Sequence, residues 1–359
     1  MGHLRHAARD YAKSPMNIYW EMTQACALAC RHCRAEAIST AHARELTFDE
    51  GVAFLRQIPE FGDPLPQLIL TGGDPLERTD LSNLIDEARK LGIGVSITPA
   101  ATAALTREVM LGLKRHGVEG LGLSLDGSSA ERHDSIRGVQ GTFDHTIRAL
   151  RWAQELEMAV QVNTLASSET AEDMPAIYEV LKPFGIARWS LFFLIAVGRG
   201  KVLQPLSPED GERLMHWIDA TSRDASFILA TTEAPSFRRV ALERMRTEGM
   251  TGEQIQKSGA TRSHGIRDGH GILFISNTGD ICPAGFLPLA VGNVRHDHIV
   301  NAYRQSPLFR QLHDPSQLEG RCGVCDYRTL CGGSRARAFA ATENPLASDP
   351  FCPYEPKGN

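Results

Sequence analysis

Asn17-Ile-Tyr-Trp-Glu-Met22, followed closely by Cys26-Ala-Leu-Ala-Cys30-Arg-His-Cys33, is the stretch that decides how this chain is read. The first six residues form a strand-like run. The cysteines, at spacings of four and three, sit on one short loop between that strand and the next helix. Three thiolates so placed can hold three irons of a cubane 4Fe–4S cluster and leave the fourth iron without a protein ligand. A structural site fills that position, so an open one predicts that a small molecule binds there. Three buried thiols without metal, or a zinc site short of one ligand, are the competing readings. Crowding on one polar loop weighs against a core role.

Outward from the loop, strands and helices alternate. Thr47-Phe48-Asp49-Glu50 reads as a capping box that starts a helix bearing Val52, Leu55 and Ile58. Gln67 to Leu70 reads as a strand running into Thr71-Gly72-Gly73-Asp74-Pro75. Leu81, Leu84, Ile85 and Ala88 repeat at helical spacing, with Gly92 to close the helix. Further strands are expected over 93–98, 120–125, 160–165 and 189–195. Helices are expected over 105–114, 142–155 and 174–181, and another is capped by Ser207-Pro208-Glu209. This alternation predicts an α/β fold with a parallel sheet curved toward a barrel. Such folds collect active residues at the C-terminal ends of the strands, where the cysteine loop lies. The expected divisions are an N-terminal extension over 1–15, a barrel over 16–222, a linker without clear repeat over 223–268, and a second module over 269–359. That module opens on a hairpin, Ile272 to Ile281, turning at Asn277 to Asp280 and leading to Cys282.

The Cys-x-x-x-Cys-x-x-Cys loop resembles that of the radical S-adenosylmethionine (SAM) superfamily. The resemblance implies a partial (β/α)6 barrel and a 4Fe–4S cluster on Cys26, Cys30 and Cys33 whose open iron is chelated by SAM. It also implies reductive cleavage of SAM to a 5′-deoxyadenosyl radical that takes a hydrogen atom from the substrate. Where many members carry an aromatic residue before the third cysteine, His32 stands here. Gly72-Gly73-Asp74 is similar to the family's Gly-Gly-Glu stretch, which holds the amino group of SAM. Because Asp74 replaces the glutamate, that role rests on the backbone carbonyls of Gly72 and Gly73. Ser124-Leu125-Asp126-Gly127 and Arg137-Gly138 resemble the motifs that contact the carboxylate and ribose of SAM. Asn163 is expected to face SAM, and Val197-Gly198-Arg199-Gly200 to approach the adenine.

The second cysteine group reads Cys322-x-x-Cys325-x5-Cys331, then Cys352. Four thiolates suffice for a fully ligated cluster; a zinc ribbon remains the alternative. The group resembles the SPASM or twitch extension of radical SAM maturases, a small cysteine-rich α+β domain, through Gly292-Asn293-Val294, Ser306-Pro307-Leu308-Phe309 and Cys331-Gly332-Gly333. Ser334 and Arg335 stand where a further cysteine is common. One auxiliary 4Fe–4S cluster is therefore expected, on Cys322, Cys325, Cys331 and Cys352. Cys282 either replaces one of these ligands or is a plain buried thiol. The resemblance spans Asn17 to Tyr354 and points to haem-type tetrapyrrole maturases and their peptide-modifying neighbours.

The chain has 359 residues and a formal net charge of −5, which argues against a nucleic-acid surface. It has no apolar run long enough to span a membrane and no secretory signal. All eight cysteines fall in two groups, as metal ligation in a reducing cytoplasm predicts. The expectation is an oxidoreductase that abstracts hydrogen from a small, carboxylate-bearing substrate such as a tetrapyrrole. A donor such as flavodoxin or ferredoxin would supply electrons. A peptide maturase is the alternative, weakened by the short stretch before the first strand. A non-catalytic electron carrier or zinc scaffold is the reading outside enzymes, and it would need no SAM pocket. Arg188, Arg199, Arg238, Arg239, Arg335 and Arg337 are expected to gather at the barrel mouth and pair with substrate carboxylates.

Overall fold

The computed structural model describes residues 9–258 and 265–356. Arg5 of the N-terminal extension and Gly259 of the linker lie outside the described residues. Six strands follow the expected alternation: β1 (Asn17–Glu21), β2 (Gln67–Thr71), β3 (Val95–Ile97), β4 (Val118–Ser124), β5 (Ala159–Ala166) and β6 (Arg188–Phe193). Each pairs in parallel with the next. Between and after them run α1 (Phe48–Leu55), α2 (Leu81–Lys90), α3 (Arg107–Arg115), α4 (Ala130–Arg137), α5 (Thr142–Glu155), α6 (Met174–Leu181) and α7 (Pro208–Ser222). The capping box at α1 forms as read. The Thr47 hydroxyl accepts from the Glu50 amide, and the Glu50 carboxylate accepts from the Thr47 amide at 2.8 Å.

Within the expected linker, 223–268, the described residues up to 258 carry regular elements. It contains β7 (Ile228–Thr232), parallel to β6, then α8 (Phe237–Thr247) and α9 (Gly252–Lys257). Its strand escapes a pattern reading because Ile228 is exposed and Thr231 and Thr232 are half-buried, so no apolar alternation marks it. The expected hairpin forms from β8 (Ile272–Ile275) and β9 (Ile281–Cys282). It belongs to the barrel's own sheet, because β8 pairs in parallel with β1. Without that pairing β1 would present a bare edge of unpaired amides and carbonyls. The sheet therefore runs β7-β6-β5-β4-β3-β2-β1-β8-β9. The rest of the second module is α10 (Ile299–Gln305), α11 (Pro307–His313), α12 (Gly320–Val324) and α13 (Arg335–Thr342).

The two faces of the sheet differ in chemistry. Ile18, Trp20, Leu68, Leu70, Val162 and Trp189 are buried on the outer face, in one core with helix residues such as Leu84, Ile85 and Leu150. The inner face carries Asn17, Tyr19, Gln67, Ser96, Ser124, Gln161, Asn163 and Arg188, all half-buried. There Gln67 donates to the Ser96 hydroxyl at 3.2 Å and Gln161 to the Asn163 side-chain oxygen at 2.8 Å. Tyr19 on β1 feels the charges of Arg188 on β6 and of Glu233 just past β7, so the sheet curls back on itself. A polar interior reached by solvent suits a ligand-binding barrel, whereas a filled one would carry Val, Ile and Leu.

Candidate active site at the strand ends

The cysteine loop leaves β1 and is clamped from three directions. Beyond β2, the Gly73 amide donates to the Thr23 carbonyl and the Asp74 amide to the Ala25 carbonyl, both at 2.7 Å. The chains approach so closely that a Cβ on Gly73 would lie 2.2 Å from the Ala25 oxygen, and one on Gly72 2.5 Å from the Thr23 oxygen. At the end of α4, the Arg31 amide bonds the Ile136 carbonyl at 2.9 Å. Beyond β6, the Arg199 amide bonds the Cys33 carbonyl at 3.1 Å. The glycines at 72 and 73 are thus required by packing against the loop. Their carbonyls accept no hydrogen bond among the described residues and stay open to a ligand.

The three thiols receive donors of their own. The Leu28 amide points at Cys26 Sγ at 3.3 Å, the Ala37 amide at Cys33 Sγ at 3.5 Å, and Arg137 Nη1 at Cys30 Sγ at 3.7 Å. Donors aimed at sulfur stabilise a thiolate and tune a bound cluster. Burial pushes the free Cys26 thiol up to about 11, so a bound cation is what would hold it ionised.

Asp74 is almost fully buried, and burial raises its carboxyl to about 6. Its Oδ1 accepts from the Leu76 and Ala100 amides at 3.1 and 3.2 Å, while its buried Oδ2 has no partner. An orphaned acceptor beside Gly72 and Gly73 fits the amino group of a ligand such as SAM. Ser124 and Asn163 lie side by side at the ends of β4 and β5. Asp126, expected beside the cosubstrate, is also held within the protein. Arg137 contacts its carboxylate at 2.6 Å, the Leu165 amide at 2.7 Å, and only 2% of the residue is exposed. Asp126 therefore positions Arg137 against Cys30. His32, on the loop, is held neutral by burial, its value lowered to about 4, and its Nδ1 is unpartnered. Arg199 spends Nη1 on the Ala37 carbonyl at 3.2 Å, leaving buried Nε and Nη2 free.

In the second module Cys322, Cys325, Cys331 and Cys352 line a single cavity, together with Gly332 and Gly333. The Tyr327 amide donates to Cys325 Sγ and the Gly333 amide to Cys331 Sγ, both at 3.4 Å. Burial raises Cys331 to about 12 and Cys352 to about 11. Cys282, on β9, is buried but lies outside this cavity's lining. Among the described residues no three His, Cys, Asp or Glu side chains are placed to hold a single metal ion. A cubane takes its thiolates at separate iron corners, so its ligands stand farther apart.

The expected arginine cluster divides. Arg335 is fully buried and internal. It donates to the Gly333, Pro345 and Ala347 carbonyls at 3.2, 3.0 and 2.7 Å and points at Cys322 Sγ at 3.6 Å. It braces the cysteine cavity and has no face for a substrate. Arg239 is paired with Glu212 and Glu243. Arg337 contacts Asp349 at 3.4 Å and lies over the Phe351 ring, with Nε and Nη2 unpartnered. Arg238 keeps Nη1 unpartnered. No sequence signal separated the brace from the free donors, because the Pro345 and Ala347 carbonyls reach Arg335 only through the fold of the loop after α13.

A family model, the radical SAM superfamily, matches residues 20–181. An AdoMet-dependent heme synthase of Methanosarcina barkeri is 34% identical over 343 residues, covering 96% of this chain and 97% of that protein. The chain belongs to the radical SAM superfamily. A second AdoMet-dependent heme synthase, from Oleidesulfovibrio alaskensis, is 36% identical over 95% of this chain and 87% of its own length. The crystal structure of Streptococcus suis SuiB shares the fold, with a TM-score of 0.73 at 19% identity over 95% of this chain and 78% of that one. As a radical SAM enzyme, the protein uses a 4Fe–4S cluster and SAM. Among the described residues no helix is long and apolar enough to cross a membrane.

Proposed function

We propose that this radical SAM enzyme oxidatively decarboxylates propionate side chains of an iron tetrapyrrole, in the formation of haem. The observation that carries the reading is kinship over nearly the whole chain with two proteins named AdoMet-dependent heme synthase, at 34% and 36% identity. Haem carries vinyl groups where a more carboxylated porphyrin carries propionates. Loss of one hydrogen atom from the carbon next to the ring, then of carbon dioxide and one electron, converts –CH2–CH2–COO⁻ to –CH=CH2.

With its cluster and SAM bound, the site supplies the 5′-deoxyadenosyl radical that takes the hydrogen atom. Cys26, Cys30 and Cys33 hold that cluster, with Arg137 fixed by Asp126 against Cys30. Asp74 Oδ2 and the carbonyls of Gly72 and Gly73 receive the amino group of SAM. Ser124, Asn163 and Arg199 line the rest of its site. Cys322, Cys325, Cys331 and Cys352 hold one auxiliary 4Fe–4S cluster, which accepts the remaining electron. The shared cavity of the four cysteines supports this ligand set, with Cys282 left out of it. Unpartnered nitrogens on Arg199, Arg238 and Arg337 supply donors for substrate carboxylates. A flavodoxin- or ferredoxin-type donor reduces the first cluster.

The test is anaerobic turnover with SAM, reductant and an iron porphyrin bearing four propionates. The expected product has lost carbon dioxide and one carbon-bound hydrogen per converted side chain, and Cys30→Ala yields neither product nor 5′-deoxyadenosine. Release of 5′-deoxyadenosine with no change in any porphyrin propionate would overturn the substrate assignment.

A further inference from the structure

The sheet ends at β7 on one side and at the β8–β9 hairpin on the other, and among the described residues no strand pairing joins these ends. What spans the gap is a set of side chains. Glu233 follows β7 directly and holds a left-handed backbone, φ 60°, which a residue with a side chain rarely adopts without a reason. Its carboxyl accepts from the Ser334 hydroxyl and lies against the Asp268 carboxyl, a few residues before β8. Asp268 also accepts the Ala336 amide at 2.9 Å, at the start of α13. Ser334 follows Cys331-Gly332-Gly333 in sequence, and its amide is held by Asp349 at 2.8 Å.

We propose that Glu233 and Asp268 share one proton and act as a clasp that closes the open side of the barrel and fixes the auxiliary cysteine module against it. Two carboxyls in contact cannot both ionise cheaply in a buried site, so one stays protonated. Burial first and the neighbouring carboxylate second raise Glu233 well above the usual range, and burial raises Asp268. Arg337 faces Glu233, Arg335 and Arg267 face Asp268, and Tyr19 looks across from β1. These cations temper the shift without pairing to either carboxyl. Loss of the shared proton would set two carboxylates against each other at the seam and free the Ser334 segment. The clasp does not depend on which substrate the barrel takes.

Infrared spectroscopy of the full chain at pH 8 tests it. The only other carboxyl raised among the described residues is Asp74, at about 6, which is ionised at that pH. The expected spectrum contains the carbonyl stretch of one protonated carboxylic acid, lost on alkaline titration and absent from Glu233→Gln. Absence of that band from the wild-type protein at pH 8 would overturn the proposal. Glu233→Ala should lower product per 5′-deoxyadenosine severalfold, while Glu233→Gln, neutral and of the same shape, should restore coupling and keep it at alkaline pH. Identical pH profiles for wild type and Glu233→Gln would equally contradict a shared proton.

Discussion

Replacing Arg335 by alanine would strip donors from the Gly333, Pro345 and Ala347 carbonyls at once. Each buried acceptor left without a partner costs about 1–3 kcal/mol. The variant should therefore be destabilised by at least ~3 kcal/mol and should lose the iron of the auxiliary site. Thermal melting and iron counts check this. A variant that folds normally, keeps its iron and binds porphyrin more weakly would restore Arg335 to a substrate role. Residues of this kind were illegible in the sequence. Cys26, Cys30 and Cys33 announce their chemistry because their spacing is local. Arg335 takes its meaning from backbone carbonyls that reach it only once the loop after α13 folds back, and Glu233 from Asp268, a partner far along the chain.

At the scale of elements, the cysteine loop depends on how closely the β2 turn approaches it. A methyl group at Gly73 would meet the Ala25 carbonyl oxygen at 2.2 Å, and backbone must move to make room. Gly73→Ala should cost about 1–3 kcal/mol, the range for overpacking, and should lower iron incorporation at the first cluster while sparing the second. Iron analysis and Mössbauer spectroscopy on reconstituted protein would reveal that split, and equal loss from both sites would contradict it. The six strand–helix units were readable because apolar residues repeat at a period of two in strands, and caps such as Thr47 mark helix starts. β7 was not, because exposed Ile228 and half-buried Thr232 share one face and Thr231 shares the other with Leu229, so no apolar alternation marks it. The pairing of β8 with β1 was not either, since strand partners distant in sequence leave no local trace.

Across the whole molecule, buried neutral histidines set the response to acid. Burial lowers His133, His270 and His313 from 6.5 to about 4. His270 packs edge-on against Tyr11 and His313, joining the N-terminal segment to the second module. A value lowered on folding means that the unfolded chain binds more protons between about 4 and 6.5. Stability is thus full above pH 6.5 and falls as pH drops toward 4, by up to ~1.4 kcal/mol per pH unit for each histidine. Urea unfolding at pH 7.5 and pH 5 should show the loss, and His270→Gln should flatten the dependence. Equal stability at the two pH values would count against burial of these rings.

The central claim is that the radical takes hydrogen from the propionate carbon next to the porphyrin ring. The most direct measurement places deuterium on that carbon and follows it by mass spectrometry. One deuterium should appear in 5′-deoxyadenosine for each carbon dioxide released. Unlabelled 5′-deoxyadenosine alongside decarboxylated product would contradict the account.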